Sequence, residues 1–161
     1  MIDSTAYVTA FNFRFGGRLR RSGYFSGWGA AVALASLGFG LPGVLAQAVA
    51  MACFCVGKFL LATIVVKRLH DLGASGWWAV LLVAPLTLTG AFIGFTSMLN
   101  PALAGEFVQR IGVDTLTGSA LLCHLATVVL GLFPGQRGDN RYGPDPKGLV
   151  GRMLPGLHPP I

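Results

Sequence analysis

Residues 22–57 read SGYFSGWGAAVALASLGFGLPGVLAQAVAMACFCVG and contain no charged side chain. A helix needs about 20 apolar residues to cross a bilayer, so this run exceeds one crossing. Beyond Lys58 the apolar character continues to residue 66, and one straight helix over 22–66 would measure about 67 Å. The run must therefore fold back, and its middle holds one Gly- and Pro-rich turn, GFGLPG at residues 38–43.

Two further uncharged runs, residues 72–105 and 115–136, each provide for one crossing. Because a backbone in lipid must satisfy its own hydrogen bonds, we predict an all-α integral membrane bundle of four transmembrane helices. These helices are expected at about 23–40, 44–66, 77–99 and 116–133. They lie in a transmembrane domain at 23–136, between a cytoplasmic N-terminal segment at 1–22 and a cytoplasmic tail at 137–161.

The composition agrees with a membrane protein, because 53% of residues are hydrophobic and only 11% are charged, against about 25% charged residues in soluble domains. Small residues at four-residue spacing predict helix-packing faces. They are Gly23, Gly27, Ala31 and Ala35 in the first helix, and Gly90 and Gly94 in the third. Pro85 is expected to kink the third helix.

Residues 100–114 are predicted to form a short amphipathic helix. Asn100 and Pro101 suit its N-cap and first position. Apolar side chains recur every fourth residue, while Glu106 and Arg110 share another face. We expect this helix to lie on the membrane surface; a plain extracytoplasmic loop is the alternative.

The distribution of the 12 lysines and arginines predicts the orientation. Ten lie on one side of the predicted bundle: Arg14, Arg18, Arg20, Arg21, Lys67, Arg68, Arg137, Arg141, Lys147 and Arg152. The positive-inside rule places this side in the cytoplasm. This orientation accounts for the net charge of +6, because basic residues on the cytoplasmic side are attracted to anionic lipids, and we predict no nucleic-acid partner.

The three cysteines, Cys53, Cys55 and Cys123, all lie inside apolar runs. Their odd number argues against a disulfide framework. Cys53 and Cys55 point roughly 200° apart around a helix and cannot bind one ion from the same face. We therefore predict neither a metal nor a cofactor, and interpret the thiols as small apolar fillers.

The densest polar cluster is Lys67-Arg68-Leu69-His70-Asp71, at the end of the second helix. Asp71 can share one helix face with both cations, so the group could hold a phosphate or a lipid headgroup, with Arg68 as a bidentate donor. The alternative is a simple topology signal. Beyond it, Gly73 suits a helix C′ position and Ser75 an N-cap.

Other polar features have weaker chemical implications. Trp77 and Trp78, at the start of the third helix, suit the interfacial aromatic belt. Lys58 lies within a span, where it could extend to the interface, pair with a carbonyl or face a wet cavity. His124 lies midway along the fourth helix and could hydrogen-bond across the bundle or relay protons.

Three motifs together resemble the bacterial domain-of-unknown-function 805 family of small inner-membrane proteins, over about residues 11–146. They are Phe15-x-Gly17-Arg18-x-x-Arg21-x-x-Tyr24-Phe25; Arg68-Leu69-His70-Asp71 followed by Ser75-Gly76-Trp77-Trp78; and Gly138-x-Asn140-Arg141-Tyr142-Gly143-Pro144-Asp145-Pro146. Where the family usually has Lys-Glu before the aromatics, this chain has Ser22 and Gly23, so we expect a carboxylate partner for Arg18 or Arg21 to be missing. The resemblance implies a four-helix membrane protein in the bacterial inner membrane, but no activity.

An even number of spans separates the three motifs, so they are expected to share a cytoplasmic rim. Its residues are Arg18, Arg21, Arg68, His70, Asp71, Asn140, Arg141 and Asp145. Our first hypothesis is a non-enzymatic protein whose rim binds anionic lipid headgroups or a partner protein, with a homo-oligomer also possible. The alternatives are a small transporter or channel subunit and, more weakly, a lipid-headgroup enzyme using His70 as acid/base.

Overall fold

The computed structural model describes residues 15–37 and 43–146. Within these ranges the chain forms five helices connected by short segments, which confirms the all-α prediction. The helices are α1 Arg21–Ser36, α2 Val44–Asp71, α3 Trp78–Leu99, α4 Pro101–Ile111 and α5 Val113–Leu132.

Three of these helices, α2, α3 and α5, are long and apolar enough to cross a membrane. They correspond to the predicted spans 44–66, 77–99 and 116–133, with shifted ends. α2 continues to Asp71 rather than 66, because the polar residues after Lys67 are bonded within the bundle instead of leaving it. α5 starts at Val113 because α4 joins it through a single residue, Gly112. Large apolar side chains remain on the surface, among them Leu88 at 70% exposure.

The first predicted span, 23–40, corresponds to α1, which covers 16 described residues; its predicted end and the 38–42 turn lie outside the described residues. The predicted small-residue face of α1 is confirmed, since its members are buried. Two of them face Gly57 of α2, where an added Cβ would lie 2.6 Å from the Ala31 carbonyl oxygen and 2.7 Å from the Ala35 Cβ. The absence of a side chain at Gly57 therefore allows α1 and α2 to approach closely.

The connection between α2 and α3 is a Schellman turn, as the position of Gly73 predicts. Gly73 has φ +75° and donates its N–H to the His70 carbonyl at 3.0 Å, and Ala74 donates to Leu69 at 2.9 Å. The predicted N-cap at Ser75 is wrong: the N-cap of α3 is Trp77, and Ser75 Oγ only accepts a 3.4 Å bond from the Trp77 N–H. The helix begins instead through a turn of i→i+3 backbone bonds over residues 75–80.

Helix α4 confirms the predicted short helix between the last two long helices. Asn100 is its N-cap, accepting a 3.2 Å bond from the Leu103 N–H, and Pro101 follows at its first turn. The Phe107 ring packs on Phe92 of α3, with centroids 4.7 Å apart. Its location at a membrane surface stays a prediction, as does a kink at Pro85, which lies inside the continuous helix α3.

Two hydrogen bonds join α1 to α5. The fully buried Tyr24 donates its hydroxyl to the Thr127 carbonyl at 2.6 Å, and Trp28 Nε1 donates to Thr127 Oγ1 at 3.0 Å. Because a buried polar group without a partner is costly, these bonds fix the rotation of α1 against α5. The candidate site lies at the neighbouring ends of α1, α2 and α5.

Candidate functional site: an arginine–aspartate cluster and an arginine pocket

Arg68 lies near the end of α2 and is completely buried. A guanidinium carries five N–H donors, and each of the five finds an acceptor. Nη1 donates to Asp71 Oδ2 at 2.6 Å. The other four acceptors are backbone carbonyls: Leu19 at 3.3 Å, Leu130 at 3.4 Å, Gly131 at 3.2 Å, and Phe133. Arg68 therefore holds together α2, the segment before α1 and the end of α5.

The carbonyls of Leu130 and Gly131 are available because α5 ends at Leu132. The last carbonyls of a helix have no intrahelical partner and form the negative end of its dipole, which favours a cation. Pro134 follows and has no N–H with which to continue the helix. Arg68 thus caps the C-terminus of α5 from a neighbouring helix. The Tyr24 ring adds a cation–π contact, with its centroid 6.0 Å from Arg68 Cζ.

Asp71 lies between two arginines. Arg18 Nε donates to Asp71 Oδ1 at 3.1 Å, while Arg68 holds Oδ2, and the side chains of Arg18 and Asp71 are only 1% and 6% exposed. Arg18 also donates to the carbonyls of Gly138 at 2.5 Å and of Gln136. We call Arg18, Arg68 and Asp71 the arginine–aspartate cluster. The expectation that Arg18 lacks a carboxylate is wrong, because its partner lies on α2 and not in its own motif.

The segment after α5 passes directly over Asp71. The Gln136 N–H donates to the Asp71 carbonyl at 2.8 Å. A Cβ added to Gly135 would lie 1.9 Å from Asp71 Oδ2, so only glycine fits at this point. The cluster therefore depends on Gly135, which was not predicted as a site residue. The one feature of the sequence that indicated it is its position directly after Phe133-Pro134, where the helix ends.

His70 lies on the outer side of the cluster, stacked on Tyr142 with ring centroids 3.9 Å apart and planes 6° apart. Its Nδ1 is 3.3 Å from the Gly17 carbonyl, and its own carbonyl accepts a 3.0 Å bond from Asn140 Nδ2. The first and third motifs thus meet on either side of His70. One face of the His70 ring and its Nδ1 are therefore both in contact with protein groups.

The segment containing the third motif forms the turns expected from its composition. Asn140 and Gly143 exchange backbone hydrogen bonds of 3.1 and 3.0 Å. Asp145 Oδ2 accepts the Gly138 N–H at 2.9 Å. Arg141 is exposed, reaches the Gly73 carbonyl at 3.5 Å and lies over the Tyr142 ring. All eight rim residues therefore lie at one end of the bundle; a ligand-binding role for them stays a prediction.

An open pocket adjoins the cluster at this end, and we call it the arginine pocket. It is lined by Arg20, Arg21, Arg68, Asp71, Gly135, Gln136, Arg137, Asp145 and Pro146. Four arginines thus face two aspartates, one of which is already paired with both Arg18 and Arg68. Arg21 and Arg137 are exposed. Arg20 and Arg137 were counted for orientation but not predicted as site residues. Arg20 adjoins Arg21 in the sequence, but only the fold brings Arg137 beside them.

The remaining predicted residues lie elsewhere. Trp77 and Trp78 are 81% and 58% exposed at the start of α3, as an interfacial position requires. Lys58 and His124 line one common cavity between α2, α3 and α5. Lys58 is only 8% exposed, which favours the cavity-facing alternative over extension to the interface. Within the described ranges, no group of three His, Cys, Asp or Glu side chains could hold a metal ion.

Comparison with known proteins agrees with the three motifs. The family model described as "Protein of unknown function (DUF805)" matches residues 12–144. The chain is 33% identical over 136 residues to the uncharacterized protein YiiR of Escherichia coli K12, covering 83% of this chain and 86% of that protein, and equally to its counterpart in E. coli O157:H7. No solved structure is significantly similar. The chain therefore belongs to the DUF805 family of proteins of unknown function.

Proposed function

We propose that the protein crosses the bacterial inner membrane four times, with both ends in the cytoplasm. α2, α3 and α5 supply three crossings, and α1 supplies the fourth. The arginines of the cluster and the pocket all lie at one end of the bundle, whereas Arg110 lies on α4, between the far ends of α3 and α5. The positive-inside rule assigns the arginine-rich end to the cytoplasm. α4 then lies at the outer surface.

The function proposed for this end is non-enzymatic binding of the phosphate of an anionic lipid headgroup in the arginine pocket. The observation that supports it is the position of Arg20, Arg21 and Arg137 around one opening at the proposed cytoplasmic interface. Phosphate oxygens accept charge-assisted hydrogen bonds from guanidinium groups, which are among the stronger hydrogen bonds in proteins. Because the arginine pocket lies at the proposed interface, a lipid headgroup can reach its guanidinium groups while the lipid stays in the bilayer.

The arginine–aspartate cluster has a different part in this proposal. Every N–H of Arg68 is already bonded to protein, so this residue has no donor left for a phosphate. Arg18 likewise donates to Asp71 and to two carbonyls. We assign the cluster to positioning: it holds Arg20 and Arg21, which follow Arg18, against Arg137, which follows Gln136. Ligand contact is assigned to Arg21 and Arg137.

Native mass spectrometry of protein extracted from membranes containing phosphatidylglycerol and cardiolipin tests this proposal. We expect anionic lipid to remain bound and retention to fall when Arg21→Gln and Arg137→Gln are combined. Arg110→Gln is the matched control, since it also removes an exposed arginine but lies outside the pocket. Equal lipid retention in the double variant and the control would refute headgroup binding and leave a protein partner as the alternative for this end.

The enzyme hypothesis receives less support from the geometry. His70 does not line the arginine pocket, and its Nδ1 and ring face are in contact with Gly17 and Tyr142. A headgroup held by Arg21 would therefore be separated from the proposed acid/base group. Lipid turnover by the purified protein, lost in His70→Ala, would restore this hypothesis.

A small transporter or channel subunit is the second candidate function. Lys58 and His124, the two polar groups predicted inside spans, line the same cavity. Polar residues inside a membrane bundle commonly belong to an ion or substrate path. Solute flux in proteoliposomes that is lost in Lys58→Leu would support this candidate, and flux that is absent or unchanged would remove it.

A further inference from the structure

The cavity between α2, α3 and α5 lies apart from the arginine pocket and has a different chemistry. It is lined by Lys58, Leu61, Leu82, Val83, Leu86, Cys123, His124 and Thr127. Lys58 lies 13 residues before Asp71, which is about 20 Å along α2. In the proposed membrane location this depth is close to the middle of the bilayer.

The ammonium of Lys58 has an incomplete set of partners. Its side chain is more than nine-tenths buried, and it contacts the Phe54 ring, whose centroid is 5.5 Å from Nζ. Of the carboxylates in the described part of the chain, none lines the cavity. Among the described residues Nζ forms no hydrogen bond to a protein group, and it retains some accessible surface, since no fully buried side-chain nitrogen or oxygen there lacks a partner. An ammonium in hydrocarbon is strongly unfavourable unless it is solvated or paired, so Lys58 requires a further partner, either a protein group or water.

His124 offers a complementary acceptor. Its Nδ1 lies 2.8 Å from the Ala120 carbonyl, a contact that requires a hydrogen on Nδ1. In a neutral imidazole the other nitrogen, Nε2, is then an acceptor. Thr127 Oγ1 also lines the cavity, but it already donates to the His124 carbonyl at 2.8 Å and accepts from Trp28, so it retains a single acceptor lone pair.

The size of the cavity limits what can lie between these groups. The space open to the centre of a water-sized sphere is about 10 Å³, which is close to the room that one water molecule needs. A water can accept a hydrogen bond from the Lys58 ammonium and donate one to His124 Nε2. The leucine and valine side chains that line the same cavity cannot form either bond. An organic solute does not fit.

We propose that Lys58 and His124 form a hydrated polar site inside the membrane, in which one water bridges Lys58 Nζ and His124 Nε2. This inference does not depend on headgroup binding, since the arginine pocket contributes no residue to it.

Magnetic resonance of ¹⁵N-labelled protein in lipid bilayers tests the site. The chain has three histidines, so the signals of His124 can be assigned with His124→Phe. We expect a hydrogen on Nδ1, none on Nε2, and a through-space contact between Nε2 and water. Lys58→Met should remove the water contact and leave the Nδ1 hydrogen in place. A hydrogen on Nε2, or an Nε2 without water in the native protein, would overturn the proposal.

Cys123 provides an independent test that reports water directly, because its thiol lines the cavity. In a Cys53→Ala, Cys55→Ala background it is the one thiol of the chain, and its S–H stretch can be followed in the infrared after transfer to D₂O. The matched control retains Cys55 in a Cys53→Ala, Cys123→Ala background; Cys55 is exposed on the surface of α2 and, in the proposed membrane location, faces lipid. We expect the Cys123 thiol to exchange about tenfold faster or more than the Cys55 thiol, because it contacts the proposed water without local opening of the protein. Equal exchange in the two proteins would contradict a hydrated cavity.

Discussion

Arg18 and Asp71 form a 3.1 Å ion pair although 53 residues separate them in the sequence. Asp71 is at the same time paired with Arg68, one turn earlier on α2. One carboxylate thereby compensates two buried guanidinium groups. Backbone carbonyls before α1, at the end of α5 and in the segment after α5 accept further N–H donors. This arrangement joins the three motifs into one structural unit, and its stability is open to measurement.

Asp71→Asn should be strongly destabilising. The amide retains the shape of the carboxylate but leaves Arg18 and Arg68 buried without a counter-charge, and removing one partner of a buried ion pair typically costs about 3–5 kcal/mol. The free energy of unfolding in mixed detergent micelles is the measurement. Asp114→Asn, at an exposed position in the first turn of α5, is the control and should change it little. Similar values for the two variants would contradict a structural role for the cluster.

Gly135→Ala should displace the segment after α5 from Asp71. The new Cβ would lie 1.9 Å from Asp71 Oδ2, and Asp71 cannot withdraw without loss of its bonds to both arginines. We expect a loss of about 1–3 kcal/mol, the range typical of overpacked sites.

Gly105→Ala is the matched control for this substitution. Gly105 lies within α4 and has no atom within 4 Å of an added Cβ, so alanine should be neutral or slightly stabilising there. If Gly135→Ala behaves like Gly105→Ala, the close approach over Asp71 does not contribute to stability.

The main features of the fold could be predicted from the sequence because a helix that crosses lipid needs a long uncharged stretch. Uncharged runs of sufficient length predicted α2, α3 and α5, and Asn100-Pro101 predicted the start of α4 through local capping chemistry. The errors lie at helix ends decided by tertiary contacts. α2 extends to Asp71 because its polar residues bond to other segments, and α3 begins at Trp78 through backbone turns rather than a Ser75 cap.

The three motifs of the candidate site were predictable, but their connections and the added Arg20, Gly135 and Arg137 were not. An even number of predicted crossings placed the three motifs on one side, and the structure brings them together at one end of the bundle. The partner of Arg18 was missed, because the sequence shows only neighbours along the chain and its carboxylate lies on another helix. The grouping of Arg20, Arg21 and Arg137 was missed for the same reason.

Arg68→Lys separates the charge of Arg68 from its geometry. Lysine retains the positive charge but has three donors on one atom, so it cannot reach Asp71 and the carbonyls of α5 together. At least two carbonyls at the end of α5 would lose their partner, for which we expect a loss of about 2–4 kcal/mol. Arg110→Lys, at an exposed position, is the control. A native free energy of unfolding in Arg68→Lys would show that charge alone suffices.

Gly57→Ala tests the packing of α1, the helix needed for a fourth crossing. Its Cβ would lie 2.6 Å from both the Ala31 carbonyl oxygen and the Ala35 backbone nitrogen, and backbone atoms of a helix cannot yield individually. We expect α1 to move away from α2, with a loss of about 1–3 kcal/mol. Gly29→Ala, in α1 but with no atom within 4 Å of its Cβ, should be tolerated. If α1 moves away from α2, a cross-link between residues of the two helices should become inefficient. We expect this loss in Gly57→Ala and efficient cross-linking in Gly29→Ala. Efficient cross-linking in both variants would mean that the small-residue face does not hold α1 in place.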